Sequence, residues 1–394
     1  MNKNPSNKIS RRSLLTSGGA ALAGLGALPF IGAGVAQAMP LQADDEVIPW
    51  LDQMAENPVP QVIGNQLVWE KADTWITPND KFFSIAHYGK PAISAAAAAN
   101  WKLDVTGQVY NPLSLSLAQI KNRYRQDVTF TLECSGNHGL PFFHGGIGNA
   151  RWSGVPLASI LYEAGLKDSA LEVVFWGADE GEEKVRDIPM KVNFARAMSV
   201  KEALDANILI GYAMNGADLP AANGYPLRLV APGWYGIASV KWLKRIEVRP
   251  QRFQNRFMAR DYVTIRKEER NGETIWTENL VGKALLKSAP VRVVRNNGKL
   301  RIHGAAWGGP IYRMEFKVDN GDWQFARYDQ GQTGAYAWSF WSLDWPNASP
   351  GEHTISTRAV DWYQNTQPAP TDPSIANKQT YWESNGQITR KVRI

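Results

Sequence analysis

The sequence predicts an α+β domain followed by an all-β domain. Two observations support this division. Up to about residue 260, strand-like segments alternate with short amphipathic helices at 116–124 and 157–164, with frequent Gly and Pro between them. After residue 290, seven short strand candidates follow within about 110 residues, which predicts an immunoglobulin-like sandwich. A chain of 394 residues is also longer than one hydrophobic core usually serves.

The strands of both domains follow from runs of β-branched and aromatic residues between turn signals. In the first domain these runs predict strands at 101–105, 128–132, 171–176 and 227–230. In the second domain they predict strands at 291–294, 300–306, 311–318, 323–328, 335–341, 353–359 and 387–392. Asn297-Gly298 and Asn320-Gly321 lie between neighbouring strands, and such pairs predict hairpin turns.

Residues 1–38 have the features of an export signal. The segment 10–15 (SRRSLL) is a twin-arginine signature, an apolar run rich in Gly and Ala covers 14–35, and Ala-Gln-Ala at 36–38 is a cleavage site. The alternative is an uncleaved membrane anchor, since the run is long enough to span a bilayer. We expect cleavage and a periplasmic protein. The twin-arginine route carries folded proteins, commonly ones with a cofactor inserted beforehand.

Cleavage would remove most of the positive charge. The leader carries four of the 43 Lys and Arg residues and none of the 37 acidic ones, so +2 of the net charge of +6 remains. No basic tail or arginine-rich helix argues for nucleic-acid binding. We therefore expect no nucleic-acid partner and, after cleavage, no stable membrane span.

Cys134 is the only cysteine, so the chain cannot form an internal disulfide. It follows the predicted strand 128–132 in a turn rich in Ser, Gly and Asn. Such a turn presents a thiolate more readily than it buries a small apolar side chain. A reactive or metal-binding thiol is the favoured interpretation, and an inert buried thiol is the alternative.

Five motifs in chain order resemble the sulfite oxidase family of mononuclear molybdopterin oxidoreductases, of the bacterial periplasmic sulfite dehydrogenase type. They are 132–137 (LECSGN), 148–157 (GNARWSGVPL), 211–216 (GYAMNG), 224–236 (GYPLRLVAPGWYG) and 240–243 (VKWL). After the predicted signal peptide at 1–38, the resemblance implies a molybdopterin-binding catalytic domain at 45–260 and an immunoglobulin-like dimerisation domain at 275–394. It also implies a molybdenum-molybdopterin cofactor and a homodimer.

The resemblance assigns roles to individual residues. Cys134 matches the cysteine that binds molybdenum, and Tyr262 matches the active-site tyrosine whose hydroxyl faces the metal. Residues that match cofactor-binding positions are Phe83, His87, Asp179, Asn223, Arg228, Ser239, Val240 and Lys241. Arg228 and Lys241 would bind the pterin phosphate, whose charge needs fixed donors. Asn223 stands where the family has a histidine.

Three arginines that line the anion pocket of sulfite oxidases are missing. Gly139, Ile85 and Ser339 occupy the matching positions. Three histidines in segments that line the site, His87, His138 and His144, are candidates to replace part of the lost charge. His87 and His138 are predicted to act with Tyr262 in catalysis. The alternative for His138 and His144 is an ordinary loop residue with backbone partners.

The resemblance implies oxidation of sulfite to sulfate by oxygen-atom transfer. A haem attachment motif is impossible with one cysteine, so the electrons are expected to pass to a separate periplasmic cytochrome c. The missing arginines leave a second hypothesis open, a related molybdenum enzyme acting on sulfane sulfur or on sulfoxides. A third, a non-catalytic scaffold protein, is disfavoured because Cys134, Tyr262, Arg228 and Lys241 are all present.

Overall fold

The computed structural model describes residues 39–328 and 334–394, and this part of the chain is mainly β. The predicted leader at 1–38 lies outside the described residues. The helices within them are short: α1 (Ala95–Ala99), α2 (Leu117–Lys121), α3 (Leu157–Ala164), α4 (Val200–Ala203), α5 (Arg256–Ala259) and α6 (Pro373–Ala376). The α+β class predicted from the sequence therefore overstates the helical share.

The strands divide into those before and those after residue 285. The first group is β1 (Glu46–Ile48), β2 (Ile63–Gly64), β3 (Ser84–Ile85), β4 (Lys102–Gly107), β5 (Leu113–Ser116), β6 (Gln126–Glu133), β7 (Ile147–Pro156), β8 (Glu172–Val185), β9 (Ile188–Ser199), β10 (Leu209–Met214), β11 (Ala217–Asp218), β12 (Arg228–Val230), β13 (Leu243–Arg249), β14 (Val263–Arg270) and β15 (Glu273–Leu280). The second group is β16 (Lys287–Asn296), β17 (Lys299–Trp307), β18 (Ile311–Val318), β19 (Gln324–Phe325), β20 (Arg327–Tyr328), β21 (Ser339–Trp345), β22 (Glu352–Asp361) and β23 (Ile388–Arg393).

Two five-stranded sheets build the first region. One has the order β11-β10-β7-β6, with β12 also paired to β10, and the other has the order β5-β4-β13-β8-β9. Helices α2 and α3 match the two helices predicted from the sequence. Helix α3 buries Leu157, Ile160, Leu161 and Ala164, which recur at the helical period, in a core shared by both sheets.

Two antiparallel sheets form a sandwich in the second region. Their orders are β1-β16-β17-β21-β20 and β19-β18-β22-β23. Side chains from both sheets, among them Ile302 and Trp341 from one and Met314 and Ile355 from the other, share one core. The predicted turn at Asn297-Gly298 is present: both residues have positive φ, and the turn connects β16 directly to β17.

A strand near the described start of the chain joins this sandwich. Strand β1 pairs antiparallel with β16, and the Trp50 indole N–H donates to the Val291 carbonyl over 3.2 Å. From the sequence, this segment is expected at the beginning of the first domain. A three-residue strand carries too little periodicity to reveal which sheet it joins.

Candidate active site

One cavity brings together nine of the residues singled out in the sequence. It encloses about 680 Å³, counted out to its solvent mouth. The nine are Phe83, His87, Cys134, Asp179, Asn223, Arg228, Ser239, Lys241 and Tyr262. The other lining residues are Ser84, Ile85, Ala86, Leu132, Phe194, Gly236 and Ile237. Residues far apart in the sequence meet here because β6, β8 and β12 and the turn before β14 all reach this point.

Cys134 lies in a tight turn directly after β6. Its N–H donates to the Gly146 carbonyl over 2.8 Å, and its carbonyl accepts from the Asn137 N–H over 3.0 Å. Burial raises the pKa of the thiol to about 12, and the Gly136 backbone N–H opposes this only in part. A free thiol here stays protonated at neutral pH, whereas a bound metal ion would deprotonate it.

Arg228 is a buried cation whose partners are backbone carbonyls. Its Nη1 donates to the Asn223 carbonyl over 2.8 Å, and its Nη2 donates to the Ser239 carbonyl over 3.0 Å. The guanidinium also stacks on Trp152, 4.5 Å from the ring centroid. Burial lowers its pKa to about 9. Each terminal nitrogen carries two N–H groups, so each has one left for a ligand.

Lys241 adds a second buried cation beside Arg228. Its Nζ donates to the carbonyls of Ile85 over 2.7 Å and Ala222 over 3.0 Å. Burial, and after it the Arg228 charge, lower its pKa to about 7, and Asp179 opposes both. Burial raises the pKa of Asp179 to about 6, and its Oδ1 has no hydrogen-bond partner. The two cations are therefore only weakly neutralised by protein groups. We call Asp179, Asn223, Arg228, Ser239 and Lys241 the charged end of the cavity.

Tyr262 and His87 form a hydrogen-bonded pair in the same cavity, with 2.9 Å between the Tyr262 hydroxyl and His87 Nε2. The His87 ring also packs on Phe257, with 5.0 Å between centroids, and on Phe194. Burial lowers the pKa of His87, the Arg256 charge adds to this, and nearby carboxylates oppose it. A neutral ring at physiological pH can accept the Tyr262 hydroxyl proton at Nε2. His87, Phe194 and Tyr262 are called the aromatic end below.

Three residues singled out in the sequence, Val240, His138 and His144, do not line the cavity. Val240 is buried in the hydrophobic core, and its N–H donates to the Ala238 carbonyl over 3.0 Å. His138 stacks on His144 with 5.1 Å between centroids and on Trp307 with 6.0 Å. Its backbone has a positive φ of 64°, and its Nδ1 has no partner. None of the three side chains stands where it would contact a molecule in this cavity.

The three positions without arginine differ in their surroundings. Ile85 lines the cavity, whereas Gly139 has no room for a side chain, because a Cβ there would lie 2.0 Å from the Tyr381 carbonyl oxygen. Ser339 begins β21 and is half-buried. Among the described lining residues, Arg228 and Lys241 are therefore the only arginine and lysine, and both belong to the charged end.

A segment near the end of the chain, residues 381–383, packs against the site and had no signal in the sequence. The Trp382 ring stacks on Tyr262, with 4.4 Å between centroids, and on Tyr381 with 4.0 Å. The Glu383 N–H donates to the Ser135 carbonyl over 2.7 Å, beside Cys134. The second region thus supplies part of the wall behind the aromatic end.

Comparisons with known proteins agree with this geometry. The oxidoreductase molybdopterin binding domain matches residues 87–257, and the Mo-co oxidoreductase dimerisation domain matches residues 277–386. Sulfite oxidase of Gallus gallus is 33% identical over 334 residues, which cover 77% of this chain and 70% of that protein. The chain belongs to the sulfite oxidase family of molybdopterin oxidoreductases. Its cofactor is molybdenum-molybdopterin.

Two further matches are enzymes whose names give different substrates. Mitochondrial sulfite oxidase of Homo sapiens is 31% identical over 332 residues, which cover 76% of this chain and 59% of that protein. The crystal structure of the sulfane dehydrogenase SoxCD from Paracoccus pantotrophus superposes with a TM-score of 0.70 at 26% identity, over 93% of this chain and 96% of that one. No helix in residues 39–328 or 334–394 is long and apolar enough to cross a membrane.

The residues of the cavity fit the family's cofactor. A pterin phosphate needs buried donors that carry positive charge, and Arg228 and Lys241 have N–H groups free for it. The unpartnered Oδ1 of Asp179 is an acceptor suited to the N–H groups of a pterin ring. Cys134 offers the one thiol of the chain at the same cavity, and a thiolate is a soft ligand suited to molybdenum.

Proposed function

We propose that this protein is a periplasmic sulfite dehydrogenase, which oxidises sulfite to sulfate and passes electrons to a separate cytochrome c. One observation carries the proposal: Cys134 and the Tyr262–His87 pair share a cavity with Arg228 and Lys241. The molybdenum cofactor, when bound, supplies oxygen-atom transfer with the uptake of two electrons. The resemblance to sulfite oxidases supports sulfite as the substrate.

The protein's own groups manage the protons of this reaction. Oxidation of sulfite by water yields sulfate, two protons and two electrons. The Tyr262 hydroxyl faces the cavity, and His87 Nε2 lies 2.9 Å away with its ring partly open to solvent. A proton released near Tyr262 can therefore be held at His87 Nε2 and given up to water. The charged end would hold the cofactor, and Phe194 packs on the His87 ring at the aromatic end.

A steady-state assay with sulfite and cytochrome c tests the proposal directly. The protein is produced in a host that inserts molybdopterin, and sulfate formation is compared with cytochrome reduction. We expect one sulfate for every two cytochromes reduced. Protein that contains molybdenum but does not oxidise sulfite with any cytochrome acceptor would refute sulfite as the substrate.

A second candidate, oxidation of sulfane sulfur or reduction of a sulfoxide, is favoured by the aromatic end. Sulfite carries up to two negative charges, whereas the described lining residues supply no arginine there. A sulfur atom carried on a larger or neutral molecule needs no such cation. The structural similarity to a sulfane dehydrogenase supports this candidate equally. Turnover of a sulfane-loaded carrier protein, or of a sulfoxide with a reduced dye, would distinguish it from sulfite oxidation.

Export and assembly complete the proposal. Replacing Arg11 and Arg12 by Lys should leave a folded precursor with its cofactor in the cytoplasm, as judged by fractionation and molybdenum analysis. Unchanged export would mean that the leader uses another route.

The match to a dimerisation domain supports a homodimer, with the second region as an immunoglobulin-like module. Sedimentation of the mature protein measures its oligomeric state.

A further inference from the structure

A buried ion pair lies directly beside the proposed metal ligand. Lys287, the first residue of β16, places its Nζ 2.6 Å from Oε1 of Glu133, the residue before Cys134. The two side chains are 0% and 1% exposed. A buried ion pair is a weak source of stability, because desolvation of both charges offsets their attraction. Its presence here therefore calls for a reason other than folding.

The pair holds the Cys134 turn from both sides. Glu133 Oε1 also accepts from the Asn137 side-chain amide over 2.9 Å, and Lys287 Nζ donates to the Asn137 carbonyl over 3.3 Å. Asn137 Oδ1 in turn accepts from the Gly146 N–H over 3.0 Å, and the Gly146 carbonyl holds the Cys134 N–H. One polar network thus connects the turn to the sandwich through Lys287.

The two charges act on the sulfur in opposite directions. Glu133 directly precedes Cys134 in the chain, and Lys287 Nζ lies 2.6 Å from its carboxylate, so a negative and a positive charge stand close to the ligand position. The first disfavours added negative charge at that position, and the second favours it. Glu133 Oε2 is buried and has no hydrogen-bond partner among the described residues, so none of them screens the carboxylate on that side. Charges held in a site of low dielectric interact more strongly with a neighbouring centre than charges in water do.

We propose that Glu133 and Lys287 are positioning residues that set the reduction potential of the molybdenum bound at Cys134. The inference rests on Cys134 as the metal ligand and is independent of the substrate. Reduction adds negative charge to the centre. A fixed positive charge beside it favours the reduced form, and a fixed negative charge favours the oxidised form. The pair also keeps the sulfur in place through Asn137.

The test is a redox titration of the loaded protein, followed by the electron paramagnetic resonance signal of the metal. Glu133→Gln keeps an acceptor for Asn137 and removes the negative charge, so the potential should rise. Lys287→Met removes the positive charge, so the potential should fall. We expect each single change to alter the reduction equilibrium about tenfold, which is about 59 mV for one electron. The double variant should return close to the wild-type potential.

Controls separate charge from general damage. Lys121→Met and Asp218→Asn remove the same charges from an exposed ion pair, 2.9 Å long, and should leave the potential unchanged. Shifts of the same sign in the two single variants, or no shift, would overturn the inference. Lys287→Met leaves Glu133 buried and unpaired, which can prevent loading. In that case, the comparison of Glu133→Gln with the double variant tests the inference. Adding Lys287→Met to Glu133→Gln must reverse the shift in potential that Glu133→Gln causes alone.

The ligand assignment is tested separately from the ion pair. Cys134→Ser should abolish thiolate-to-molybdenum charge-transfer absorption. If that absorption persists, Cys134 is not the ligand. If it disappears while the two single variants shift the potential in the same direction, only the role of Glu133 and Lys287 is wrong.

Discussion

The charged end and the aromatic end of the cavity are built on different physical principles. At the charged end, two buried cations are held by backbone carbonyls and stay short of negative partners. At the aromatic end, Phe194, Tyr262 and His87 line the same cavity as Cys134, and the described lining residues supply no arginine or lysine there. The first arrangement suits one particular anion. The second permits substrates of different charge. The charged end therefore bears on which cofactor binds, and the aromatic end on which substrate binds.

The largest effect is expected from replacing the metal ligand, Cys134. Cys134→Ser should reduce turnover to background and remove the thiolate charge-transfer absorption, because a serine hydroxyl is a poor replacement for soft sulfur. The fold should persist, since the turn is held by backbone groups and by Asn137. Circular dichroism checks the fold. Full turnover in this variant would show that the metal is bound elsewhere.

Removing the arginine of the charged end should release the cofactor. Arg228→Gln keeps a polar side chain with an N–H donor but deletes the charge that a phosphate needs. We expect the molybdenum content after purification to fall about tenfold, as for loss of one charged hydrogen bond. Lys121→Met, at an exposed ion pair, is the matched control and should keep its molybdenum. Unchanged content in Arg228→Gln would place the phosphate elsewhere.

The second cation of the charged end predicts a dependence of stability on pH. The pKa of Lys241 falls to about 7 in the folded protein from 10.5 in the unfolded chain. Between these values the unfolded chain binds a proton that the folded protein lacks, so the stability of the cofactor-free protein should rise with pH. Below pH 7 both states are protonated and this contribution is constant.

Lys241→Met isolates that contribution. The difference in melting temperature between wild type and variant, both free of cofactor, should change steadily from pH 7 to pH 9. With cofactor bound, a phosphate beside Lys241 should raise its pKa and flatten the slope for the wild type. A pH-independent difference in the cofactor-free proteins would mean that Lys241 is protonated throughout this range.

The charged end could be predicted from the sequence, whereas the wall of the aromatic end could not. Arg228, Lys241 and Cys134 each lie within a continuous motif, so the resemblance of those motifs to the family was enough to single them out. Trp382 reaches Tyr262 only through the packing of the second region on the first, and no local pattern encodes a contact between residues 120 positions apart. His138 was a candidate because it lies in a segment predicted to line the site, but the tight turn directs its ring toward His144.

The fold, like the site, has elements that local patterns predict and pairings that they do not. Helix α3 and the turn at Asn297-Gly298 depend on local periodicity and positive φ, and both were predicted correctly. The pairing of β1 with β16 and the long hairpin of β8 and β9 depend on non-local register. That hairpin carries Asp179 and Phe194 to the cavity, so the site itself depends on contacts that single-sequence patterns do not reveal.

Placing an arginine at position 85 should sharpen the difference between the two candidate substrates. Ile85 lines the cavity, so Ile85→Arg should place a cation there and lower the KM for sulfite about tenfold if sulfite is the substrate. Ile85→Met is the uncharged control and should leave the KM unchanged. An unaltered KM in Ile85→Arg would favour the sulfane or sulfoxide candidate.

Position 139 offers the opposite case. Gly139→Arg forces a Cβ against the Tyr381 carbonyl oxygen, 2.0 Å away, so the backbone of one segment has to move. We expect a destabilisation of about 1–3 kcal/mol, measured as a lower melting temperature, with no gain in affinity for sulfite. Normal stability together with a lower KM would show that residues 381–383 yield easily.

The smallest effect is expected from the histidine of the aromatic end. His87→Ala should raise the KM for sulfite by a few-fold with a smaller loss in kcat, which is the pattern of lost ground-state binding.

Because burial and Arg256 lower the pKa of His87 below 6.5, its ring is neutral near pH 7. Positive charge on His87 therefore assists anion binding only as the pH falls below 6.5, and affinity should weaken as the pH rises through that lowered pKa. His87→Ala should remove this part of the pH dependence, whereas His353→Ala, in the sandwich and hydrogen-bonded to Asp319, should retain it. If KM in His87→Ala keeps the wild-type pH profile, His87 acts only by orienting the Tyr262 hydroxyl, and its loss should then appear in kcat alone.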